Sequence, residues 1–420
     1  MNRVVVTGMG VTSPVGSDRG EFWRGLTGGR SGIGPITLFD AGTLPVRIGG
    51  EVKSLALDRL HQRFPAASDL RDRKVWLGLQ AAEEALASSG VRAEDFETAL
   101  LHVGVSLEVF NLEDVTPVAY AKDLGRALST RVVTERACRE IQVPLDRLAE
   151  LIGGRYGFLG GRFTNCSACA AGAQAIGEAF QALREGAVEV ALAGAADSML
   201  NPLGLGGFSL LHVLSAENDR PHSACRPFDR TRVGTVLGEG AAFLLLETLD
   251  HVRRRGARVH AEVLGYGSSL DAYRVSDPAP DGHGAILSMR MALRDAGLGP
   301  EDVDCVNAHG TGTPKNDAVE TAAIKEVLGG RAREVPVHAV KSMTGHLIAA
   351  SGATEAVAAV LTLEEGTVPP TINLACPDPE CDLDYVPGAP RPFAGRVVLS
   401  NSFGFGGQNA TLLFGRSGEP

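Results

Sequence analysis

Short aliphatic runs alternate with alanine-rich stretches of helical periodicity along this chain of 420 residues. Aliphatic runs predict strands when glycine or polar residues bound them. The predicted strands lie at 4–6, 190–192, 305–307, 337–339 and 397–399. Since strands and helices follow each other in turn, the pattern predicts an α/β protein with helices packed on sheets.

The helical pattern is clearest over residues 170–185. Its large apolar residues Ile176, Phe180 and Leu183 recur at three- and four-residue spacing, so they fall on one stripe of a helix. Its first turn, from Ala170, holds only small residues. Because small side chains let another backbone come close, we expect this helix to lie buried between two layers.

Two patterns in the chain occur twice. An alanine-rich helix that ends at a glycine and continues into an acidic turn appears around Gly90 and again around Gly297, at an offset of 207 residues. A second helical pattern, at 170–186, returns at 350–366 with an offset of 180. Two repeated patterns that occur in the same order in both halves predict an internal duplication.

The two offsets differ by 27 residues, so the first copy holds about that much additional chain. The irregular, charged segment at about 107–164 is the place for this insertion, and we expect it to cap the site or to build a subunit contact. The duplication predicts an N-terminal half at 1–255 and a C-terminal half at 256–420.

Composition and charge limit the possible partners and cellular location of the protein. The net charge of −10 disfavours nucleic acid and anionic membrane as partners. No apolar run approaches the roughly 20 residues that cross a bilayer, and the chain begins with a strand pattern rather than a signal peptide. Seven cysteines, an odd number, favour reduced thiols. We therefore expect a soluble cytoplasmic protein.

Cys169, at the start of the helix at 170–185, is the first candidate for chemistry. Unpaired N–H groups and the positive end of the helix dipole favour a thiolate there. Cys166 and Cys169 form a Cys-x-x-Cys pair, but the chain has no second pair to complete a zinc site and lacks the aromatic and proline neighbours of a redox motif. We expect Cys169 to be a nucleophile and Cys166 to be a buried, inert thiol.

Two histidines in glycine-rich turns are the next candidates. His309 and His346 each follow a strand-like run, and each lies beside hydroxyl or amide side chains. They lie near the ends of the duplicated units, so contact between the halves would bring them together. The residues alone are equally consistent with catalytic histidines and with hydrogen-bonded histidines of the core.

The motifs taken together are more specific. The chain resembles the β-ketoacyl-acyl carrier protein synthases of the KAS II type, in the thiolase superfamily. The matching runs follow the family order and cover nearly the whole chain: they are 4–10 (VVVTGMG), 167–170 (SACA), 226–229 (RPFD), 238–241 (GEGA), 307–314 (NAHGTGTP), 341–346 (KSMTGH) and 401–407 (NSFGFGG). The resemblance implies a thiolase-like fold, in which duplicated halves form a layered α-β-α-β-α sandwich, and a homodimer, with a heterodimer as the alternative.

The resemblance also assigns roles at the site. Cys169 would accept the acyl chain, and its backbone N–H with that of Phe405 would form the oxyanion hole. His309 and His346 would donate hydrogen bonds to the malonyl thioester oxygen. Lys341 would orient His346.

Further residues would support this machinery. Glu320, with Asp317 nearby, would balance the charge of Lys341, since an unpaired buried lysine would lose its proton. Phe405, beside Gly406, would act as a mobile gate that opens once the cysteine is acylated.

A carrier protein is acidic, so we expect it to dock on local cations. Arg71, Arg73 and Lys74 cluster before the predicted helix at 76–89, at the position that the family uses for docking. A solvated helix start is the alternative explanation for these charges.

The expected activity is that of a 3-oxoacyl-[acyl-carrier-protein] synthase, an acyltransferase of fatty-acid biosynthesis. It would catalyse decarboxylative Claisen condensation of an acyl thioester with malonyl-acyl carrier protein, with no metal or redox cofactor and with substrates delivered on phosphopantetheine. A polyketide or specialised-lipid ketosynthase with the same chemistry is the alternative. An alternative of another class is a non-catalytic partner subunit like the chain-length factors, which lack the nucleophilic cysteine.

Overall fold

The computed structural model describes residues 1–107, 123 and 144–417. Over these residues the strands are β1 (Val4–Thr12), β2 (Ile33–Pro35), β3 (Ile48–Gly50), β4 (Leu100–Gly104), β5 (Arg162–Asn165), β6 (Val190–Ser198), β7 (Glu239–Thr248), β8 (Ala261–Leu270), β9 (Cys305–Asn307), β10 (Val337–His338), β11 (Thr367–Val368), β12 (Arg391–Pro392), β13 (Val397–Gly404) and β14 (Gln408–Gly415). The helices are α1 (Arg19–Thr27), α2 (Leu57–Arg63), α3 (Arg73–Ser89), α4 (Arg147–Tyr156), α5 (Ala171–Glu185), α6 (Pro202–Leu210), α7 (Leu249–Arg255), α8 (His283–Ala296), α9 (Pro314–Leu328), α10 (Lys341–Thr344) and α11 (Ala349–Glu365).

The predicted elements are confirmed. Each of the five predicted strands coincides with a strand of the structure, and the helix predicted at 170–185 is α5, entered through a 3₁₀ turn at Ala168–Ala170. The aliphatic runs form strands because they are buried on both faces; every residue of β1, β6 and β7 is buried.

The main sheet repeats one strand order. Its ten described strands run β10-β9-β13-β14-β8-β1-β7-β6-β4-β5. Read outward from the centre, β1-β7-β6-β4-β5 and β8-β14-β13-β9-β10 have the same arrangement, and the two sets meet where β1 pairs with β8 through three antiparallel residue pairs. This symmetry agrees with the duplication predicted from the sequence.

The helices complete a layered sandwich. Helices α5 and α11 pack against each other, and each contacts strands of both sets, so they form the central layer. On the outer faces α3 packs on β1, β7 and β6, and α8 packs on β8 and β14. The α-β-α-β-α thiolase-like fold is confirmed, and the expectation that α5 is buried between layers is confirmed with it.

Equivalent glycines let the outer helices approach the sheet. A Cβ on Gly8 of β1 would lie 2.3 Å from the carbonyl oxygen of Ala85 in α3. A Cβ on Gly265 of β8 would lie 2.4 Å from that of Ala292 in α8. Ala85 and Ala292 are separated by the 207-residue offset, so the repeat extends to the packing between helix and strand.

Two expectations about organisation stay predictions. The boundary predicted after residue 255 coincides with the end of α7, which connects β7 to β8. The insertion predicted at about 107–164 lies largely outside the described residues; the described end of that segment forms α4 and the edge strand β5. In the described ranges no helix is both long enough and apolar enough to cross a membrane.

Candidate active site

The backbone before α5 holds Cys169 in a constrained position. Ala168 has a φ of 49°, in the left-handed region that L residues rarely adopt. Cys169 follows it in the 3₁₀ turn and is buried. The backbone N–H groups of Cys169 and Phe405 both lie near the sulfur, where they lower its pKa. Two backbone donors therefore lie beside the nucleophile, where they can form an oxyanion hole for the oxygen of a carbonyl that Cys169 attacks.

The expectation of a resting thiolate is wrong. Burial raises the pKa of the Cys169 thiol to about 11, and this effect outweighs the two N–H groups and the positive charge of Lys341, which act in the opposite direction. The helix dipole acts only at the start of the helix, whereas desolvation arises from the packing of both halves around the sulfur. The resting nucleophile is a neutral thiol.

His346 contacts this thiol directly. Its Nε2 lies 3.1 Å from Cys169 Sγ. Its Nδ1 accepts hydrogen bonds from the Ser351 hydroxyl at 2.9 Å and from the Ile348 N–H at 3.3 Å, while the hydroxyl itself accepts from the Leu347 N–H at 3.0 Å. Because Nδ1 is an acceptor, the ring hydrogen is assigned to Nε2. Burial holds the pKa of His346 well below its usual value, so the ring is neutral.

His309 is the second imidazole of the site. Its ring centroid lies 5.3 Å from that of His346, with the planes at 84°. Lys341 Nζ donates to His309 Nδ1 at 3.1 Å and to the His309 carbonyl oxygen at 2.7 Å. Burial, Lys341 and His346 all lower the pKa of His309. This ring is therefore also neutral, with its hydrogen assigned to Nε2.

Lys341 has partners that differ from those expected. The resemblance implied that it orients His346 and pairs with Glu320, whereas it contacts His309 and forms a buried ion pair with Glu355 of α11. Burial raises the pKa of Glu355 to about 7, and Lys341 opposes this shift. The sequence does carry a signal for Glu355. It is the one acidic residue of the alanine-rich helix α11 before the two glutamates at its end.

Glu320 supports the histidine loop rather than the lysine. Its carboxylate accepts from the backbone N–H groups of His309 at 2.7 Å and Gly310 at 2.8 Å. Asn401 donates to it at 3.3 Å. Burial raises the pKa of Glu320 to about 7. The contacts fix the backbone that presents the His309 ring.

Asp317 stabilises the neighbouring part of the same loop. It accepts from the N–H groups of Phe228 at 2.8 Å, Thr311 at 3.1 Å and Gly312 at 3.2 Å, and Arg232 lies 3.6 Å away. Burial raises the pKa of Asp317 although these donors oppose it. Asp317 therefore fixes the shape of the loop, and its ion-pair partner is Arg232.

Phe405 and Cys169 line one cavity. Its half-buried ring stacks on Phe208 with the centroids 6.1 Å apart. The next residue, Gly406, has a φ of 79°, and its N–H donates to the Val275 carbonyl at 2.7 Å. The position suits a gate, and the movement of Phe405 stays a prediction.

A cavity of about 420 Å³ leads from the surface to the cysteine. Its inner wall carries Cys169, His309 and His346, and its outer part carries mixed polar and apolar side chains. The other lining residues are Phe208, Leu211, His212, Val213, Val233, Gly234, Thr235, Asp271, Val275, Ser276, Asp277, Pro278, Thr311, Thr313, Pro314, Lys315, Asn316, Phe403, Gly404, Phe405 and Asn409.

The other thiol of the Cys-x-x-Cys pair, that of Cys166, is not buried. Cys166 is exposed, which corrects the expectation, and its thiol donates to the Ser106 carbonyl oxygen. Among the residues that the structure describes, no group of three or more histidine, cysteine, aspartate or glutamate side chains is placed to hold a metal ion.

Two of the three expected docking cations are engaged elsewhere. Arg73 makes two hydrogen bonds to Glu239, at 2.8 and 2.5 Å. Lys74 is buried, pairs with Asp72 at 2.8 Å and donates to the Leu107 carbonyl at 2.9 Å. These charges hold the start of α3 in place. Burial removes Lys74 from any docking surface, whereas docking by Arg73, which is partly exposed, stays a prediction. Arg71 is exposed.

Comparison with known proteins agrees with the geometry. The model of the Beta-ketoacyl synthase N-terminal domain matches residues 1–251, and that of the C-terminal domain matches 260–375. A 3-oxoacyl-[acyl-carrier-protein] synthase 2 of Synechocystis is 42% identical, over 98% of this chain and 97% of the relative. A putative polyketide beta-ketoacyl synthase of Streptomyces cyaneus is 40% identical, over 99% of each chain.

Solved structures show the same likeness. The ishigamide ketosynthase/chain length factor matches with a TM-score of 0.88 and 35% identity, over 99% of this chain and 100% of the other. A structure of a type II polyketide synthase acyl-carrier protein in complex with its ketosynthase, bound to the hexaketide, matches with a TM-score of 0.85 and 31% identity, over 99% and 100%.

Proposed function

Since the chain belongs to the beta-ketoacyl synthase family, we propose that it is a 3-oxoacyl-[acyl-carrier-protein] synthase. The proposed reaction joins an acyl group to malonyl-acyl carrier protein with loss of carbon dioxide. The observation that carries the proposal is the contact of Cys169 Sγ with His346, beside a second neutral imidazole at the inner wall of the cavity.

The first step is acyl transfer. The Cys169 sulfur attacks the thioester carbonyl carbon, the carbonyl oxygen becomes an oxyanion, and the N–H groups of Cys169 and Phe405 stabilise it. A donor of this kind contributes roughly 3 kcal/mol. The bond to the carrier sulfur then breaks, and the proton of the Cys169 thiol ends on that leaving sulfur. An acyl-cysteine and a free carrier thiol result.

The second step is decarboxylation of the malonyl thioester. In this step His309 and His346, whose ring centroids lie 5.3 Å apart, donate hydrogen bonds from Nε2 to the thioester oxygen. As the carbon–carbon bond to the carboxylate breaks, its electron pair moves into an enolate whose oxygen carries the charge. Neutral donors suit this task because they stabilise the developing anion without first binding the substrate carboxylate as counterions.

The third step is condensation. The enolate carbon attacks the acyl carbon on Cys169, the oxyanion hole again accepts the charge, and the carbon–sulfur bond breaks. The products are 3-oxoacyl-acyl carrier protein, carbon dioxide and the Cys169 thiol, which takes up one proton. Every electron pair that forms a new bond comes from the two thioesters, so the reaction needs no external oxidant or reductant. We propose that no metal or redox cofactor takes part.

The test separates the two halves of the reaction. Cys169→Gln should abolish acylation, measured by intact mass, and should still release carbon dioxide from malonyl-acyl carrier protein. His309→Ala in the same background is the matched control and should remove that release. A folded Cys169→Gln protein without decarboxylation would contradict the assignment of both histidines.

Polyketide or specialised-lipid synthesis is a second candidate for the acyl chain used. The relative from Streptomyces cyaneus and the ishigamide structure favour it. Intact mass after incubation with acyl-carrier proteins of different chain lengths distinguishes the two. Loading of saturated chains of several lengths supports fatty-acid elongation, whereas loading only of polyketide intermediates supports the alternative. A non-catalytic partner subunit is disfavoured by Cys169 and its contact with His346.

We propose an acyl carrier protein as partner and a homodimer as the assembly. The complex of a related ketosynthase with its carrier supports the first. Strand β5 supports the second, since within the described residues it pairs only with β4 and exposes Phe163. The ketosynthase/chain length factor structure makes a heterodimer the alternative, which native mass spectrometry of the purified chain distinguishes. The odd number of cysteines supports a cytoplasmic location.

A further inference from the structure

One buried hydroxyl group in the wall of the active-site cavity is unsatisfied within the described part of the chain. Thr235 lines the cavity together with Cys169 and His346, and it is only 4% exposed. Among the residues that the structure describes, none forms a hydrogen bond with its Oγ1. Because a buried hydroxyl without a partner costs free energy, its position in the wall of a binding cavity indicates that a ligand supplies the partner.

The backbone fixes Thr235 between two turns of the site. The preceding residue, Gly234, donates from its N–H to the Gly312 carbonyl at 3.2 Å, and Gly312 belongs to the turn that follows the first catalytic histidine. The carbonyl of the following residue, Val236, accepts from the His346 N–H at 2.7 Å. Thr235 is therefore held between the turns that carry the two imidazoles, where the malonyl unit would lie.

Neighbouring polar side chains of the same cavity are hydrogen-bonded within the protein. Thr311 and Thr313 share a hydrogen bond of 2.9 Å between their hydroxyl oxygens. The Asn409 amide donates to Asp271 at 2.7 Å. Thr235 differs from these side chains, because its hydroxyl has no acceptor within the described residues and can donate to a substrate.

We propose that the Thr235 hydroxyl donates a hydrogen bond to the carboxylate of the malonyl unit and so selects the carboxylated substrate. The inference rests on the proposed function, in which the two imidazoles bind the thioester oxygen and leave the malonyl carboxylate as the polar group without a donor. One neutral hydroxyl suits a carboxylate that must leave as carbon dioxide, because a stronger contact would stabilise the bound substrate more than the transition state. Thr235 is then a specificity-determining residue for the second substrate.

The experiment uses the Cys169→Gln protein, which should decarboxylate malonyl-acyl carrier protein without being acylated. Acetyl-acyl carrier protein offers the same carrier and arm without the carboxylate, so it serves as a competitive inhibitor. The ratio of its inhibition constant to the KM for the malonyl substrate measures the preference for the carboxylate. Adding Thr235→Val, which keeps the shape of the side chain and removes the hydroxyl, should lower this ratio about tenfold through a higher KM, as for loss of one hydrogen bond to a charged group. The kcat of decarboxylation should not fall.

Three further changes in the same background sharpen the result. Thr235→Ser retains the hydroxyl and should keep the ratio within about threefold of its starting value. Thr235→Ala removes the hydroxyl without adding bulk and should lower the ratio as Thr235→Val does. Thr12→Val is the matched control, since the Thr12 hydroxyl is also buried without a partner among the described residues but does not line the cavity. This control should leave the ratio unchanged.

The outcomes separate the role of Thr235 from the proposed function. An unchanged ratio in Thr235→Val, or an equal rise of the KM and the inhibition constant, would overturn the carboxylate contact and leave decarboxylation by the histidines intact. An equal loss in Thr235→Ser and Thr235→Val would also overturn it, since the effect would then come from packing rather than from the hydroxyl. Failure of the Cys169→Gln protein itself to release carbon dioxide would instead overturn the proposed function, and the proposal for Thr235 with it.

Discussion

Helices α5 and α11 are copies of one element that carry different chemistry. Each is entered through a residue in the left-handed region, Ala168 with φ 49° and Ile348 with φ 47°. These two residues are separated by the 180-residue offset of the repeat. The next residue is Cys169 in one copy and Ala349 in the other, so the same strained entry holds the nucleophile only once.

The N–H groups at the two helix starts also differ in their use. At α5 the Cys169 N–H lies beside the reactive sulfur and lowers its pKa. At α11 the Ala349 N–H donates to Asp197 at 2.9 Å and is satisfied inside the protein. Helix α11 contributes instead Glu355, which holds Lys341 beside His309. The duplication thus supplies two equivalent helix starts. A few side chains determine that only the one before α5 carries the nucleophile.

The largest expected effect comes from the nucleophile. Cys169→Ala should lower condensation by more than about a thousandfold, because no other group can carry the acyl chain. The comparison of the helices is sharpened by adding Ala349→Cys to this variant. We expect no recovery, since the Ala349 N–H is occupied by Asp197. Acylation of the new cysteine, seen by intact mass, would show that the two helix starts are equivalent.

The next effect concerns the ion pair that only α11 supplies. Glu355→Gln leaves the Lys341 ammonium buried without a counter-charge, so we expect the free energy of unfolding to fall by about 3 kcal/mol in urea titrations. The double variant Glu355→Gln with Lys341→Met removes both charges and should recover most of that loss while remaining inactive. Equal destabilisation of both variants would contradict an electrostatic cause.

A smaller effect tests the close contact between the two copies. A Cβ on Gly352 of α11 would lie 2.8 Å from the backbone nitrogen of Ala173 in α5. Gly352→Ala should therefore lower the free energy of unfolding by about 2 kcal/mol. Gly154→Ala on α4 is the control, since no atom of the described residues lies within 4 Å of its Cβ position, and it should be neutral or stabilise by about 0.5–1 kcal/mol.

The smallest effect follows the titration of the thiol. Thiolate is the reactive form, and with a pKa raised by burial to about 11 its fraction increases with pH throughout the neutral and mildly alkaline range. Alkylation of Cys169 by iodoacetamide should accelerate about tenfold per pH unit from about pH 7 to pH 9. Peptide mass spectrometry separates this site from exposed Cys166 and Cys376. A plateau near neutral pH would show an ionised resting thiol.

The sequence was sufficient for the parts of the site that local motifs define. The runs around Cys169, His309 and His346 lie at the ends of predictable strands and helices, and the structure brings them to one cavity. The repeat offsets predicted the symmetry of the sheet because they reflect element order, which periodicity reveals directly.

The errors concern quantities that arise only from packing. The pairing of Arg73 with Glu239, which is 166 residues away along the chain, is not predictable from the neighbouring residues. Glu355 was missed because its contact with Lys341 requires α11 to lie in the central layer. The ionisation of Cys169 was misjudged for the same reason, since burial is a property of the assembled halves and not of the helix start.

The protonated state of the buried sulfur has a consequence for the durability of the protein. Peroxides oxidise thiolates far faster than thiols, and a thiol with a pKa raised to about 11 presents almost none of the susceptible form at neutral pH. The half-buried Phe405 ring, stacked on Phe208, lines the cavity that reaches this sulfur. We therefore expect the idle enzyme to resist peroxide at neutral pH, because its sulfur stays mostly protonated until a bound thioester accepts the proton.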